Sequence, residues 1–93
     1  MSDLINQIQA NYKASLKDKL MTLEALWKAS DDNYTELLAF LHQLAGSAGM
    51  YGYDQISLQC IQLQSVLKDT SSLKDIQHEY DQLNELIEHS IDS

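Results

Sequence analysis

His42 is the residue whose type and surroundings most favour chemistry, because it opens the stretch HQLAGSAGMYG, which holds all three glycines of the chain. A helix turns about 100° per residue, so four short neighbours would project within about 60° of His42: Thr35, Ala39, Gly46 and Gly49. A glycine inside a helix costs roughly 1 kcal/mol relative to alanine. Either close packing of a neighbouring helix or access of a partner to the imidazole must offset that cost. The outward direction of His42 favours access.

The other chemical groups of the sequence exclude several kinds of site. His78 and His89 lie eleven residues apart, which is about 16 Å along a helix, so they cannot share one metal ion. One histidine alone provides too few ligands for structural zinc. The sequence has no glycine-rich phosphate loop and no recognisable serine or cysteine nucleophile arrangement. An exposed imidazole can still accept a phosphoryl group brought by another molecule, since a ring nitrogen is free to attack near neutral pH.

The composition predicts one small, acidic domain. The chain has 93 residues, no proline, and fourteen acidic against six basic residues, for a net charge of −8. This charge argues against binding to nucleic acid or to an anionic membrane, because both require basic patches. The single cysteine, Cys60, excludes an internal disulfide and is expected in the core. With no signal-peptide pattern and no run of about 18 apolar residues, we expect a cytoplasmic protein.

Apolar residues at steps of three and four predict helices along the whole chain. The first would cover residues 3–29, either as one helix or as a short helix and a longer one separated near Asn11. A capping box of Asn33 and Glu36 would start the second helix, and Gly52 would end it in the left-handed conformation.

Two further helices complete the predicted fold. Asp54 is expected to cap the third helix, and Ser72 with Asp75 the fourth, whose buried stripe would begin at Leu73. Short connections favour antiparallel neighbours. The predicted fold class is therefore all-α: an antiparallel up-down four-helix bundle, with or without a short extra helix at the N-terminus.

Charged residues are nearly absent from the middle of the chain. From Leu37 through Leu67 the only one is Asp54, whereas the last predicted helix is strongly acidic. Either the two middle helices are the most buried pair, or part of their surface is neutral so that another protein can dock there.

The stretch from Leu41 to Gln64, LHQLAGSAGMYGYDQISLQCIQLQ, resembles the histidine-containing phosphotransfer (HPt) domain family. The family pattern places a leucine, a glycine, a serine and further small residues after the histidine, then a cysteine and a glutamine or glutamate on the next helix. The matching residues are His42, Leu44, Ala45, Gly46, Ser47, Ala48, Gly52, Ile56, Cys60, Leu63 and Gln64. The motif covers about a quarter of the chain, and the number of predicted helices fits the family across the rest.

The resemblance implies a phosphocarrier that has no kinase or ATP-binding activity of its own. His42 would accept a phosphoryl group on Nε2 from the aspartyl phosphate of a receiver domain and pass it to another receiver. The implied partners are response-regulator receiver domains and a hybrid sensor histidine kinase. The Mg²⁺ belongs to the receiver, so the chain would need no cofactor or metal. We expect a monomer that binds neither nucleic acid nor membrane.

The resemblance also implies roles for residues around His42. Gln64 matches the position whose amide orients the imidazole, and Gly46 the small residue that lets phosphate and partner approach. Lys68 matches a frequently basic position, where it would either attract the phosphoryl group or simply be solvated. Ser47 points away from His42 and is expected to be structural. Ala45 stands where many members have a lysine near the phosphate, and Lys68 is the candidate to compensate for it.

The sequence leaves two alternatives to the phosphocarrier open. The neutral surface on which a partner would dock is predicted to comprise Leu38, Ala39, Gln43, Ala45 and Gly49. A module that docks a receiver or kinase without accepting phosphate would use the same surface. A purely structural bundle would instead use its glycines for packing, which predicts Gly46 in a tight interhelical contact and His42 crowded.

Overall fold

Four helices form an up-down bundle in the computed structural model, which describes residues 2–29, 34–69 and 72–92. They are α1 (Ser2–Lys28), α2 (Thr35–Met50), α3 (Asp54–Lys68) and α4 (Leu73–Asp92). Each helix contacts the next one along the chain, and α1 also contacts α4, so the four close into a ring around one core. The predicted all-α four-helix bundle is confirmed. None of the helices in these ranges is long and apolar enough to cross a membrane.

The first helix is continuous over 27 residues, so of the two alternatives the single helix is confirmed, and the break near Asn11 with a short extra helix is not found. Asn11 is exposed, and a single exposed asparagine costs a helix only about 0.5 kcal/mol. Gln9 lies beside the turn between α2 and α3, since a Cβ added at Gly52 in that turn would be 3.5 Å from Nε2 of Gln9. The part of α1 before Gln9 therefore extends past the turn. The apolar side chains that precede Gln9 are exposed: Leu4, Ile5 and Ile8.

The core consists of one apolar stripe from each helix. Its largest fully buried side chains include Leu16, Leu23, Leu37, Leu41, Leu44, Ile56, Leu63, Leu83 and Ile87. Burying such a side chain contributes about 1.5–3 kcal/mol, so these stripes fix the rotation of each helix about its own axis. Trp27 stacks on Tyr80 with ring centroids 4.0 Å apart and joins α1 to α4.

The end of α2 follows the prediction. Gly52 adopts the left-handed conformation, with φ of 88°. The N–H of Tyr53 donates to the carbonyl of Ala48 at 2.8 Å, and the N–H of Gly52 donates to the carbonyl of Gly49 at 3.3 Å. This pair of bonds is a Schellman motif, which satisfies the last carbonyls of the helix and turns the chain toward α3.

The predicted cap of α3 is wrong, and the predicted cap of α2 is not tested. The expected cap of α2, Asn33, lies outside the described residues, and the helix begins at Thr35. Asp54 is not the N-cap of α3, because it is the first helical residue and Tyr53 precedes it without a side-chain capping bond. The carboxylate of Asp54 still lies in the first turn, where it complements the helix dipole.

Of the two predictions for the start of α4, one is confirmed and one is wrong. The N–H of Asp75 donates to Oγ of Ser72 at 3.2 Å, which confirms the cap. Leu73 is 78 % exposed, so its expected place in the buried stripe is wrong. It is the first residue of the helix, and burial begins only one turn later, at Ile76.

Candidate functional site

His42 projects into solvent from the middle of α2. The side of the helix that faces the core carries Leu37, Leu41 and Leu44, each at most 2 % exposed, which sets the rotation of α2. His42 lies away from that side and is exposed. Within the described ranges, no hydrogen bond reaches its imidazole. Both ring nitrogens are therefore open to an incoming reactant.

We call the exposed side of α2 that carries His42 the outer face. It consists of Thr35, Ala39, His42, Gln43, Gly46 and Met50. From Ala39 to Met50 the sequence has no acidic or lysine residue. The imidazole is thus surrounded by short or neutral side chains, which leaves room for a second protein to approach it.

The two glycines beside His42 have different surroundings. A Cβ added at Gly46 would meet no atom within 4 Å, so this position opens to solvent. A Cβ at Gly49 would lie 3.4 Å from Oγ of Ser57, in van der Waals contact, so this position faces α3. The structural-bundle alternative is wrong, because it requires Gly46 in a tight contact and His42 crowded.

The seam between α2 and α3 runs along one edge of the outer face. Oγ of Ser57 donates to the carbonyl of Ala45 at 2.7 Å. Ala45 itself is 8 % exposed and belongs to the core. Its predicted place in the docking surface is therefore wrong, because its short side chain is turned toward the neighbouring helices. Leu38 is only half-buried, and Gly49 is exposed.

Gln64 and Lys68 lie on the α3 side of the same seam. Nε2 of Gln64 donates to the carbonyl of Leu38 at 3.4 Å. Among the described residues it makes no bond to His42, so the implied orienting contact is not formed here. Lys68 is exposed at the last position of α3, one turn beyond Gln64.

Ser47 lies on the opposite edge of α2 and contacts α1. Its Oγ is 2.8 Å from Oη of Tyr12. The ring of Tyr12 stacks on Tyr51 at 4.5 Å and lies 5.5 Å from Tyr53. Burial is the main reason that the pKa of Tyr12 is raised. The structural role expected for Ser47 agrees with these contacts, which fix α1 against the end of α2.

Ile61 is a surface residue of this region that the sequence did not single out. It lies four residues after Ser57 and three before Gln64, so it shares the side of α3 on which both reach α2. Its side chain is 53 % exposed. An apolar residue outside the buried stripe of an almost uncharged helix was the signal that could have indicated it.

Neither the cysteine thiol nor a metal site adds to this region. Cys60 is fully buried, and burial raises the pKa of its thiol to about 12. A buried neutral thiol is inert, because the thiolate is the nucleophilic form. No group of three or more His, Cys, Asp or Glu side chains within the described parts of the chain could hold a metal ion.

The four helices thus hold the imidazole of His42 in solvent among short or neutral side chains of α2. The family model described as the Hpt domain matches residues 3–93. The chain therefore belongs to the Hpt domain family, whose members transfer phosphoryl groups in two-component signalling. Comparisons with curated proteins and with solved structures gave no match.

Proposed function

We propose that this chain is a phosphocarrier of a multistep relay, which accepts a phosphoryl group on His42 from one receiver domain and passes it to another. The observation that carries the proposal is the exposed, unbonded imidazole of His42 beside Gly46, where a side chain would otherwise block approach. Membership of the Hpt domain family supports the same reaction class.

The proposed step needs no other catalytic group from the bundle. A neutral imidazole with its proton on Nδ1 attacks the phosphorus of an aspartyl phosphate through the lone pair of Nε2. A P–N bond forms as the P–O bond to the carboxyl breaks, and the aspartate leaves as a carboxylate. The second transfer reverses this step with a different receiver. The receiver and its Mg²⁺ stabilise the charge on the transferring group, while the bundle positions the nucleophile.

Gln64 and Lys68 are proposed to stabilise the phosphorylated state. A helical side chain leans toward the N-terminus of its own helix, so His42 and Gln64 on antiparallel helices lean toward each other. Gln64 is bonded at the level of Leu38, which is four residues, or about 6 Å, from His42 along the axis. Lys68 leans the same way from one turn farther on. It would supply the positive charge that Ala45 cannot.

The docking surface for the receiver is proposed to combine the outer face of α2 with Ile61 of α3 and the exposed part of Leu38. Small residues allow close approach of the receiver to His42, and Ile61 offers an apolar contact at the edge. Response-regulator receivers and a hybrid sensor histidine kinase are the proposed partners. Because a relay must be charged by a kinase that uses ATP, we place the proposed function in the cytoplasm, with the chain as a monomer that needs no cofactor of its own.

The test is phosphoryl transfer from receivers to matched histidine variants. Receiver domains encoded in the same genome are phosphorylated with labelled acetyl phosphate, freed of the donor and mixed with wild-type chain, His42→Gln or His78→Gln. His78 is an exposed histidine of α4 and serves as the control. We expect label on the wild type and on His78→Gln but none on His42→Gln, with all three equally helical.

Two outcomes would contradict the proposal. Label on His42→Gln at the wild-type rate would show that another residue accepts the phosphoryl group. Tight binding of a phosphorylated receiver to the wild type without any transfer of label would favour the docking module that carries no phosphate.

A further inference from the structure

A cleft between α1 and α2 borders the outer face on the side away from α3. It has a volume of about 420 Å³ and is lined by Tyr12, Lys19, Phe40, Gln43, Leu44, Ser47 and Tyr51. Gln43 belongs both to this cleft and to the outer face, so the two surfaces are continuous. Any protein that covers His42 and extends toward α1 would meet the cleft.

The cleft contains a lysine whose ammonium group is held in place. Nζ of Lys19 donates to Oγ of Ser15 at 3.1 Å, and that hydroxyl donates to the carbonyl of Tyr12 at 2.6 Å. Nζ also lies 5.1 Å from the centre of the Tyr12 ring, within cation–π range. The Tyr12 ring is in turn stacked on Tyr51. A half-buried cation thus stands on an aromatic group that the core already fixes.

Lys19 lacks the partner that a lysine usually has in so acidic a protein. The chain has fourteen acidic residues, yet none of those in the described ranges forms an ion pair with Lys19. A long, flexible lysine normally loses side-chain entropy when it pairs with a carboxylate. The hydrogen bond to Ser15 and the contact with the Tyr12 ring have already removed much of that freedom, so the charge is prepared for a carboxylate from outside.

We propose that Lys19 is a specificity contact of the docking surface, which receives an aspartate or glutamate side chain of the receiver that exchanges phosphate with His42. This inference rests on the proposed phosphocarrier function. A carboxylate is the occupant because the cleft presents one fixed cation between aromatic walls. The occupant is a side chain of the receiver rather than the phosphoryl group on His42, because Lys19 lines a cleft between α1 and α2 that His42 does not line. Lys19 therefore acts in docking rather than at the reacting atoms.

The test compares two lysines of the same helix in phosphoryl transfer. The probe is the phosphorylated receiver that labels the wild type fastest, and the variants are Lys19→Met, Lys19→Arg and Lys17→Met. Lys17 is exposed and does not line the cleft, so its variant removes the same charge elsewhere on α1. We expect Lys19→Met to lower the second-order rate constant of transfer about three- to tenfold through weaker binding, with the transfer rate at saturating receiver unchanged. Lys19→Arg should stay near the wild type, and so should Lys17→Met.

Salt and a small phosphate donor separate this inference from its alternatives. The difference between wild type and Lys19→Met should shrink as salt rises, because an ion pair at the rim of an interface is screened. Phosphoramidate, which needs no docking, should label His42 equally in both proteins. If no receiver labels the wild type while phosphoramidate does, the phosphocarrier proposal fails.

Three results would overturn the role of Lys19 alone. One is an equal rate of transfer from the receiver to Lys19→Met and to Lys17→Met. Another is a loss of transfer rate in Lys19→Met that does not depend on salt. The third is a difference in sedimentation between wild type and Lys19→Met, each without receiver, at equal transfer rates. That result would make a second copy of the chain the occupant of the cleft.

Discussion

Gly46 and Gly49 lie three residues apart near the same side of α2, yet the absence of a side chain has a different consequence at each. On the outer face, the position of a Cβ at Gly46 is empty, so the glycine leaves space for a molecule from outside. At the seam, a Cβ at Gly49 would touch Ser57, so this position faces α3 rather than open solvent. Both glycines cost the helix about 1 kcal/mol. One glycine serves the proposed reaction, and the other lies against the neighbouring helix.

The largest difference between the two regions should follow from filling the outer face. In Gly46→Gln the added side chain projects from the outer face beside His42, where it would keep a receiver from approaching. Because an error of about 1 Å in positioning can cost about 100-fold in rate, we expect transfer from a phosphorylated receiver to fall by about that factor. Thermal unfolding should show a bundle at least as stable as the wild type.

Gly46→Ala is the matched control for that variant. It adds one methyl group in open space, so it should retain most of the transfer. Wild-type transfer by Gly46→Gln would contradict the proposed role of the outer face, because the imidazole would then not need a cleared surface.

A smaller effect, on stability, should distinguish the seam from the outer face. Gly46→Val and Gly49→Val make the same change in helix propensity on one helix. At Gly49 the Cβ would already touch Ser57, whose hydroxyl donates to the carbonyl of Ala45, so the two methyl groups of valine find less room there than at Gly46. We expect the free energy of unfolding of Gly49→Val to be lower by about 1–3 kcal/mol, the usual cost of overpacking. Urea denaturation of the pair measures this difference, and equal values would show that the seam is not tightly packed.

Much of the fold follows from periodicity and turn chemistry. The four apolar stripes, the left-handed Gly52 and the Ser72 cap could all be predicted, because each depends on residues within one helix or one turn. Asp54 and Leu73 could not be placed correctly, since a helix can start a residue earlier or later at little cost. The sequence left open whether α1 breaks near Asn11, and it stays continuous because packing of α1 against two helices outweighs a weak local preference.

The site was less predictable where it depends on neighbouring helices. The angular positions of residues around α2 were enough to predict that His42 is exposed. They could not predict that Gly46 opens to solvent while Gly49 faces α3, or that Ala45 is buried. Those differences depend on where α3 packs, which the angular positions within one helix do not show. Lys19 was missed for a related reason, because a lysine on α1 is expected to be solvated unless the position of the Tyr12 ring is known.

The most direct test of the account is to follow labelled phosphate through His42 between two receivers. The chain is first labelled by one phosphorylated receiver, purified, and then mixed with a second, unphosphorylated receiver, and the label on each protein is followed over time. We expect label to leave His42 as it appears on the aspartate of the second receiver, with His78→Gln behaving like the wild type. Label that stays on the chain, or label that passes between the receivers equally well with His42→Gln, would contradict the account.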